Sequence, residues 1–514
     1  MLSNETGSCA QASDDAGAPD DVTEEPGKVR RGIPISPLVA WVTGLIFVGT
    51  LIRIPQLWHG LNEMHAFRQT QTAYVALEYA RRGINLLHTP LPIFGPNADV
   101  PMELPLVQAA AALLIRLGVK SDAALRIIGL MGFQAAATLL ALLVFRWHGR
   151  LVAIVVVALF EVSPFGLAWG AAALIDFPAV AFSIGMVAGL DAWFRAGSRA
   201  GLLLGTVSGW LAFLVKATTA PAWCFLLAVS ALTAYLATRS WGRIVAGFLA
   251  GPVVGNVMAL AWVRYGDSVK VRNPLTKFLF SGTMHDWNFG SIHQRLDPHA
   301  YAPALLRVST EIAGPLGLGL VLAVVGIVLA ATKIERIHRG GWLATALCAP
   351  MVFFNLYNVH NYYLIAVFPA IVAAVGIGIV ALAQWVRGND SVVAAVLTAV
   401  VVVGSAAPHD LRQWILPPKP DPVAGRLRVA TRPDDLIVGV GCTWNPQTLY
   451  FADRRGLMLW EYNVFDAWKQ EKIDDYRYIF SCDSAVRVTD YLPAGYDVVP
   501  TSTSGLWRIS RAQR

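Results

Sequence analysis

Between Glu63 and Gln71, nine residues carry an acid, an imidazole, a guanidinium and two amides: Glu63, His65, Arg68, Gln69 and Gln71, in the run LNEMHAFRQTQTA from Leu61 to Ala73. Such groups grip phosphates and hydroxyls or move protons. Connecting loops ordinarily carry Gly, Ser and Pro with scattered charge. A second set lies inside or beside apolar runs: Glu161, Asp176, Asp191 and Lys216, with Arg126 at the head of another run. Ionisable groups in hydrocarbon are costly and point to function by default. Structural roles compete. Arg126 can snorkel, Lys216 can pair with Asp176, and Asp191 can pair locally with Arg195. Glu161, ahead of Ser163-Pro164, reads as the cap of a helix kink and is left out of the site. Glu103 lies between Pro101 and Pro105, which fix the backbone that presents it. His360, Asn361 and Tyr362, in VHNYY, fall at a turn between two apolar runs, where an ordinary aromatic belt is the competing reading.

The elements that must position these groups are membrane helices. The chain has 514 residues, 55% hydrophobic and 15% charged. A soluble chain carries roughly a quarter charged residues. The apolar residues fall in long runs, and a bilayer needs about 17–25 residues per span. About eleven spans are expected on that length rule, near 35–54, 124–145, 150–166, 171–193, 201–216, 219–237, 244–263, 313–332, 341–357, 362–385 and 391–406. The fold class is a polytopic α-helical membrane protein with a small C-terminal α/β or α+β domain.

Residues 1–33 are rich in Asp, Glu, Ser, Ala and Gly and end near KVRR, which reads as a disordered tail. Arg146, Arg150, Arg195, Arg199, Arg239, Arg243, Lys333, Arg336, Arg339 and Arg387 fall on alternate turns, on the side of KVRR. By the positive-inside rule the N-terminus is cytoplasmic. Segments 55–123, 264–312, 358–361 and 407–514 are then extracytoplasmic, and 34–406 is the transmembrane domain. Asp176, Lys216 and Arg126 lie toward the outer ends of their spans. A transporter should place such charges at the midplane, on broken helices within repeats, and no repeat is evident. The net charge of +7 comes from basic residues spread over short loops, which fits membrane topology and not nucleic acid.

In the first outer loop, Ala73–Arg82 reads as an amphipathic helix ended by Gly83. A proline-rich crossing follows, then an apolar helix over 102–117 too short to span. The second outer loop carries Arg264, Lys270, Arg272, Lys277, Arg295 and Arg307, either a solvated face or an anion-attracting surface. Beyond about Arg432, DDLIVGVG and YRYIFSC read as buried strands, and LPAGYDVVP with GLWRIS as a hairpin. Cys442 and Cys482 each end one of those strands. An extracytoplasmic domain could bridge them, and two buried free thiols are the alternative. No Walker loop, Rossmann fingerprint, G-x-S-x-G or HExxH occurs; no metal ligand is assigned, and the cofactor stays unknown.

Taken in order, HAFRQTQTA, VPMELPLVQ, Arg126, ALIDFPAVAF, LVKATTAP, HNYYLIAVFP and NPQTLYFADRRG resemble the GT-C class of integral membrane glycosyltransferases. The likeness is to its bacterial family-39-like group, related to protein O-mannosyltransferases and to aminoarabinose and arabinofuranosyl transferases, and it spans about 35–514. It implies transfer of a sugar from a polyprenyl-phosphate donor to a cell-envelope acceptor at the extracytoplasmic face of the plasma membrane. An acid of the first outer loop would serve as base, and basic residues would meet the phosphate. Many relatives carry an acid where this chain has Ala66 or Gln71. The base candidates are therefore Asp176, Glu63, Glu103 and His65. Arg68, Gln69, Gln71, Arg126, Lys216, His360 and Tyr362 are the expected donor-binding set. A flippase for lipid-linked saccharides and a non-catalytic envelope scaffold are the alternatives.

Overall fold

A computed structural model describes residues 37–386, 388–407 and 416–512. The tail 1–33 and Arg387 lie outside the described residues. Nine helices build the first half: α1 (Pro37–Arg53), α2 (Ala66–Arg82), α3 (Leu106–Arg116), α4 (Ser121–His148), α5 (Arg150–Val162), α6 (Pro164–Trp169), α7 (Asp176–Ala196), α8 (Arg199–Val215) and α9 (Ala220–Thr238). Later come a long element over Trp241–Lys270, short helices over 285–312, and helices Leu318–Val328, Lys333–Val352, Phe368–Trp385 and Asp390–Ala406.

Among the described residues six helices are long and apolar enough to cross a membrane, seven if the bent pair Pro298–Ile312 and Pro315–Val328 is one span. The expected count of eleven is not confirmed by length and composition. The stretch 150–166 stops as a helix at Val162, and α8 and Asp390–Ala406 are shorter apolar helices of 17 residues each. The bent pair turns through 102° at its break, where Gly314 and Gly317 take φ of 86° and 75°. Composition reports apolar runs, but it does not report where a run bends.

Close helix approach sets the shape. A Cβ on Gly189 of α7 would lie 2.5 Å from the Gly205 nitrogen of α8, so only glycine lets these two backbones meet. Gly129 of α4 does the same for the linker 170–175, where an added Cβ would be 2.3 Å from the Ala172 oxygen. Beneath that linker, Arg53 and Glu161 form a fully buried ion pair at 3.1 Å. Arg53 also donates to the Gly49 and Glu161 carbonyls at 2.7 and 2.8 Å. Glu161 is thus the partner of Arg53, and Ser163 is the cap, accepting from the Gly166 N–H at 3.2 Å.

The C-terminal part carries a five-stranded sheet in the order β2-β1-β3-β5-β4. The strands are β1 (Leu436–Val440), β2 (Gly456–Leu459), β3 (Tyr476–Ser481), β4 (Tyr496–Pro500) and β5 (Leu506–Arg511). β1 runs parallel to β2 and β3; β5 runs antiparallel to β3 and β4. Ile437, Val438, Val440, Leu457, Leu459, Ile479 and Phe480 form its buried layer. The β2 strand, GLML, is missing from the sequence reading because four residues show no alternation. Its outer edge is paired by the first loop: Gly456 donates to the Pro92 carbonyl at 3.0 Å and Met458 to Ile93 at 2.8 Å. Such pairing removes an open edge and fastens the sheet to the loop. Cys442 and Cys482 are joined by a disulfide, with Cα atoms 5.1 Å apart.

Candidate active site

α2 begins at Ala66, seven residues before the expected helix at Ala73. Helical spacing therefore sorts the polar run by face. Gln69 turns one way, and Arg68 with Gln71 and Thr72 another. The residue ahead of the helix, His65, has φ 53° and ψ 37°. That left-handed conformation strains a residue with a Cβ and is more often seen at functional sites than elsewhere.

On the first face Glu63 accepts from Arg126 at 2.7 Å and from the Gln69 amide at 3.1 Å. Arg126 is buried and also donates to the carbonyls of His59, Gly60 and Ala171 at 3.2, 3.0 and 3.2 Å. The Gln69 oxygen accepts from the Ala173 N–H at 2.9 Å. Arg126, Glu63 and Gln69 thus tie the loop, α2 and the linker 170–175 together. Each polar group has a partner within the protein.

On the second face Arg68 donates to Gln71 at 2.7 Å and to both oxygens of Glu103 at 3.2 and 3.1 Å. Gln108 adds a bond to Glu103 at 3.1 Å. Burial pushes the Arg68 guanidinium down, but Glu103, then Tyr362, Tyr363 and Asp176, more than reverse this and hold it above its ordinary value. Next to this pair Lys216, just past the end of α8, donates to Asp176 at the start of α7. The Lys216 ammonium lies 5.3 Å from the Tyr362 ring centre and 5.0 Å from that of Tyr363, within cation–π range. The second oxygen of Asp176 is buried and has no hydrogen-bond partner among the described residues.

The turn after Val359 closes the site. His65 Nε2 lies 2.9 Å from the Asn361 side-chain oxygen. Its ring is 4.9 Å from His360, 4.9 Å from Tyr362 and 5.7 Å from Trp169 of α6. Burial lowers the pKa of His65, and Arg307 lowers it further. Burial, then His65 and Arg307, bring His360 down to about 4. Both imidazoles are neutral at neutral pH.

The expected residues therefore divide. Asp176, Lys216, Arg68, Glu103, Gln71, His65, His360 and Tyr362 come together. Glu63, Gln69 and Arg126 form the brace behind them. The sequence reading did not single out Trp169, Tyr363 or Glu311, and it named Arg307 only among the basic residues of segment 264–312. Only Tyr363, beside Tyr362, carried a signal. In the loop 264–312 Arg295 and Arg307 donate to backbone carbonyls of Met351, Val352 and Tyr357. Part of that loop's charge is thus spent inside the protein. Among the described residues no three His, Cys, Asp or Glu side chains gather as a metal set.

No family model and no curated protein matches the sequence. Solved structures do match. ArnT from Cupriavidus metallidurans, in a crystal structure with undecaprenyl phosphate bound, superposes with a TM-score of 0.62 at 13% identity, over 91% of this chain and 98% of that one. The archaeal oligosaccharyltransferase AglB from Archaeoglobus fulgidus, in complex with an inhibitory peptide and a dolichol-phosphate, has a TM-score of 0.51 at 11% identity, over 86% of this chain and 69% of that one. With its apolar helices, its small C-terminal sheet and these neighbours, the chain has the fold of the GT-C integral membrane glycosyltransferases.

Proposed function

We propose that this protein moves a sugar from a polyprenyl-phosphate donor to a hydroxyl of a cell-envelope acceptor, glycan, lipid or protein, at the extracytoplasmic membrane face. The observation that carries the reading is the meeting of two cations, Arg68 and Lys216, with Asp176, Glu103 and the rings of His65, His360 and Tyr362. A phosphate leaving from C1 of a sugar gains charge as the bond breaks. Preorganised cations in a water-poor site balance that charge in the transition state. Arg68 and Lys216 are each paired with one carboxylate, Glu103 and Asp176, so a donor phosphate would share them. His360 and Tyr362 would hold sugar or phosphate oxygens, while Arg126 and Gln69 set the loop. The alternating charges of the short loops, and a disulfide in the C-terminal part, support an extracytoplasmic placement of 407–514.

The test uses the full chain in vesicles, supplied with undecaprenyl phosphate carrying labelled mannose, glucose, arabinose or aminoarabinose, and with envelope extract as acceptor. Label moving from carrier to an acceptor, at least tenfold above heat-inactivated protein, is expected for one of the four. Label crossing the vesicle wall still on its carrier would make the protein a flippase. Carrier binding alone would leave a scaffold.

A further inference from the structure

The three candidate carboxylates are each engaged by a cation: Glu63 by Arg126, Glu103 by Arg68 and Asp176 by Lys216. Glu63 and Glu103 each accept a further amide bond, from Gln69 and Gln108. A carboxylate so used must give up a charged contact before it can take a proton. His65 has no such cation bound to it among the described residues. Among them its one side-chain hydrogen bond is to Asn361, whose side chain is also near Glu311, on the helical turn Val308–Ile312.

The order of that chain fixes the tautomer. The Asn361 oxygen faces His65 Nε2 at 2.9 Å, which leaves its NH2 for the side of Glu311. The oxygen requires a donor, so the His65 proton is on Nε2 and the lone pair is on Nδ1. Among the described residues no group hydrogen-bonds to Nδ1.

We propose that His65 is the proton acceptor of the transfer, with Asn361 and Glu311 as positioning residues that hold its tautomer; this rests on the transferase reading above. The acceptor hydroxyl gives its proton to Nδ1 as its oxygen forms the bond to C1 of the sugar. The C1–O bond to the phosphate breaks, and its electron pair leaves on the phosphate oxygen. The imidazolium then returns the proton to water. The titratable and charged groups around the ring are His360 and Tyr362 on the turn, Asp176 on α7, and Arg307 and Glu311 on the helices over 302–312. The strained backbone fits this role, because it turns the imidazole toward the turn and toward Trp169 instead of continuing the helix.

The experiment uses the full chain in vesicles with the four labelled undecaprenyl-phosphate sugars. His65→Gly and His65→Asn both tolerate the left-handed backbone, so folding is not the expected casualty. Each should bind undecaprenyl phosphate within about threefold of wild type, yet lose transfer by about 10²–10⁴-fold, the usual worth of a general base. Added imidazole should restore at least tenfold of the loss in His65→Gly and none in His65→Asn. In Asn361→Asp a carboxylate would face Nε2, so the low-pH limb of the transfer rate should move to higher pH. Transfer within about threefold of wild type in His65→Asn would overturn the proposal. So would a loss in His65→Gly that imidazole does not relieve. If Asp176→Asn abolishes transfer while His65→Asn retains it, Asp176 is the acceptor and the transferase reading stands. If wild type transfers from none of the four donors, the transferase reading falls and this assignment with it.

Discussion

At the scale of single residues, the charges of the site come in pairs. Asp176 and Lys216 are almost wholly buried against each other. Removing one partner of such a pair strands the other charge and costs about 3–5 kcal/mol, whereas replacing both with apolar groups of similar size is often close to neutral. Lys216→Met and Asp176→Asn should each lower stability by about that amount. The double variant Asp176→Leu/Lys216→Met should recover most of it in a thermal melt while transfer stays lost, which separates the pair's chemical role from its structural one. His360 carries a second prediction. Its folded pKa, about 4, lies below the ordinary 6.5. Below pH 6.5 the unfolded chain takes up a proton that the folded one refuses, so stability falls as pH drops from 6.5 toward 4 and levels off below that. In detergent, the melting temperature of His360→Gln should fall less steeply across that window than that of wild type.

At the scale of elements, the site depends on the linker 170–175 lying against α4. Gly129 permits this, and Arg126 and Gln69 then bond to Ala171 and Ala173 of the linker. Gly129→Ala would drive a Cβ into the Ala172 carbonyl, a backbone atom that cannot turn aside. Overpacking of that kind costs about 1–3 kcal/mol. The expected outcome is a lower melting temperature together with reduced transfer. Gly44→Ala, with nothing within 4 Å of the added Cβ, should leave both unchanged. Equal behaviour of the two variants would remove the linker from the account.

At the scale of the whole molecule, the C-terminal sheet is fastened to the loop that carries the site. Besides the strand pairing at β2, Arg81 of α2 donates to Asp453 at 2.7 and 2.8 Å, and Ser121 of α4 meets Tyr450 at 2.7 Å. Trp444, two residues beyond Cys442, meets Phe67 of α2 edge to face at 4.5 Å and also faces Phe94 and Phe278. The loop after β1 thereby packs against α2 at Phe67. The disulfide closes a 40-residue separation, worth about 3–4 kcal/mol on the chain-entropy model. Cys442→Ser/Cys482→Ser should melt at a lower temperature by that increment. Without reductant, the unfolded wild-type chain should take thiol label at neither position; labelling of both would show the bridge is absent in the native envelope.

Much of this molecule was legible in its sequence because the signals are local. Apolar runs without charge report membrane helices, since hydrocarbon leaves the backbone no other partner. The short apolar runs around Val438 and Ile479 report buried strands, and the odd chemistry of residues 63–71 drew attention to α2. The partners were not local. Arg53 and Glu161 are 108 residues apart, and His65 and Asn361 are 296 apart. Nothing in either neighbourhood names the other. Tertiary structure alone decided that Arg126 braces Glu63, that Arg68 turns to Glu103, and that the helix run over 298–328 bends. It also decided which ring stands without a cation. Periodicity reports which face a side chain takes, but a charge finds its partner only when helices from distant parts of the chain are packed together, because burial makes pairing obligatory.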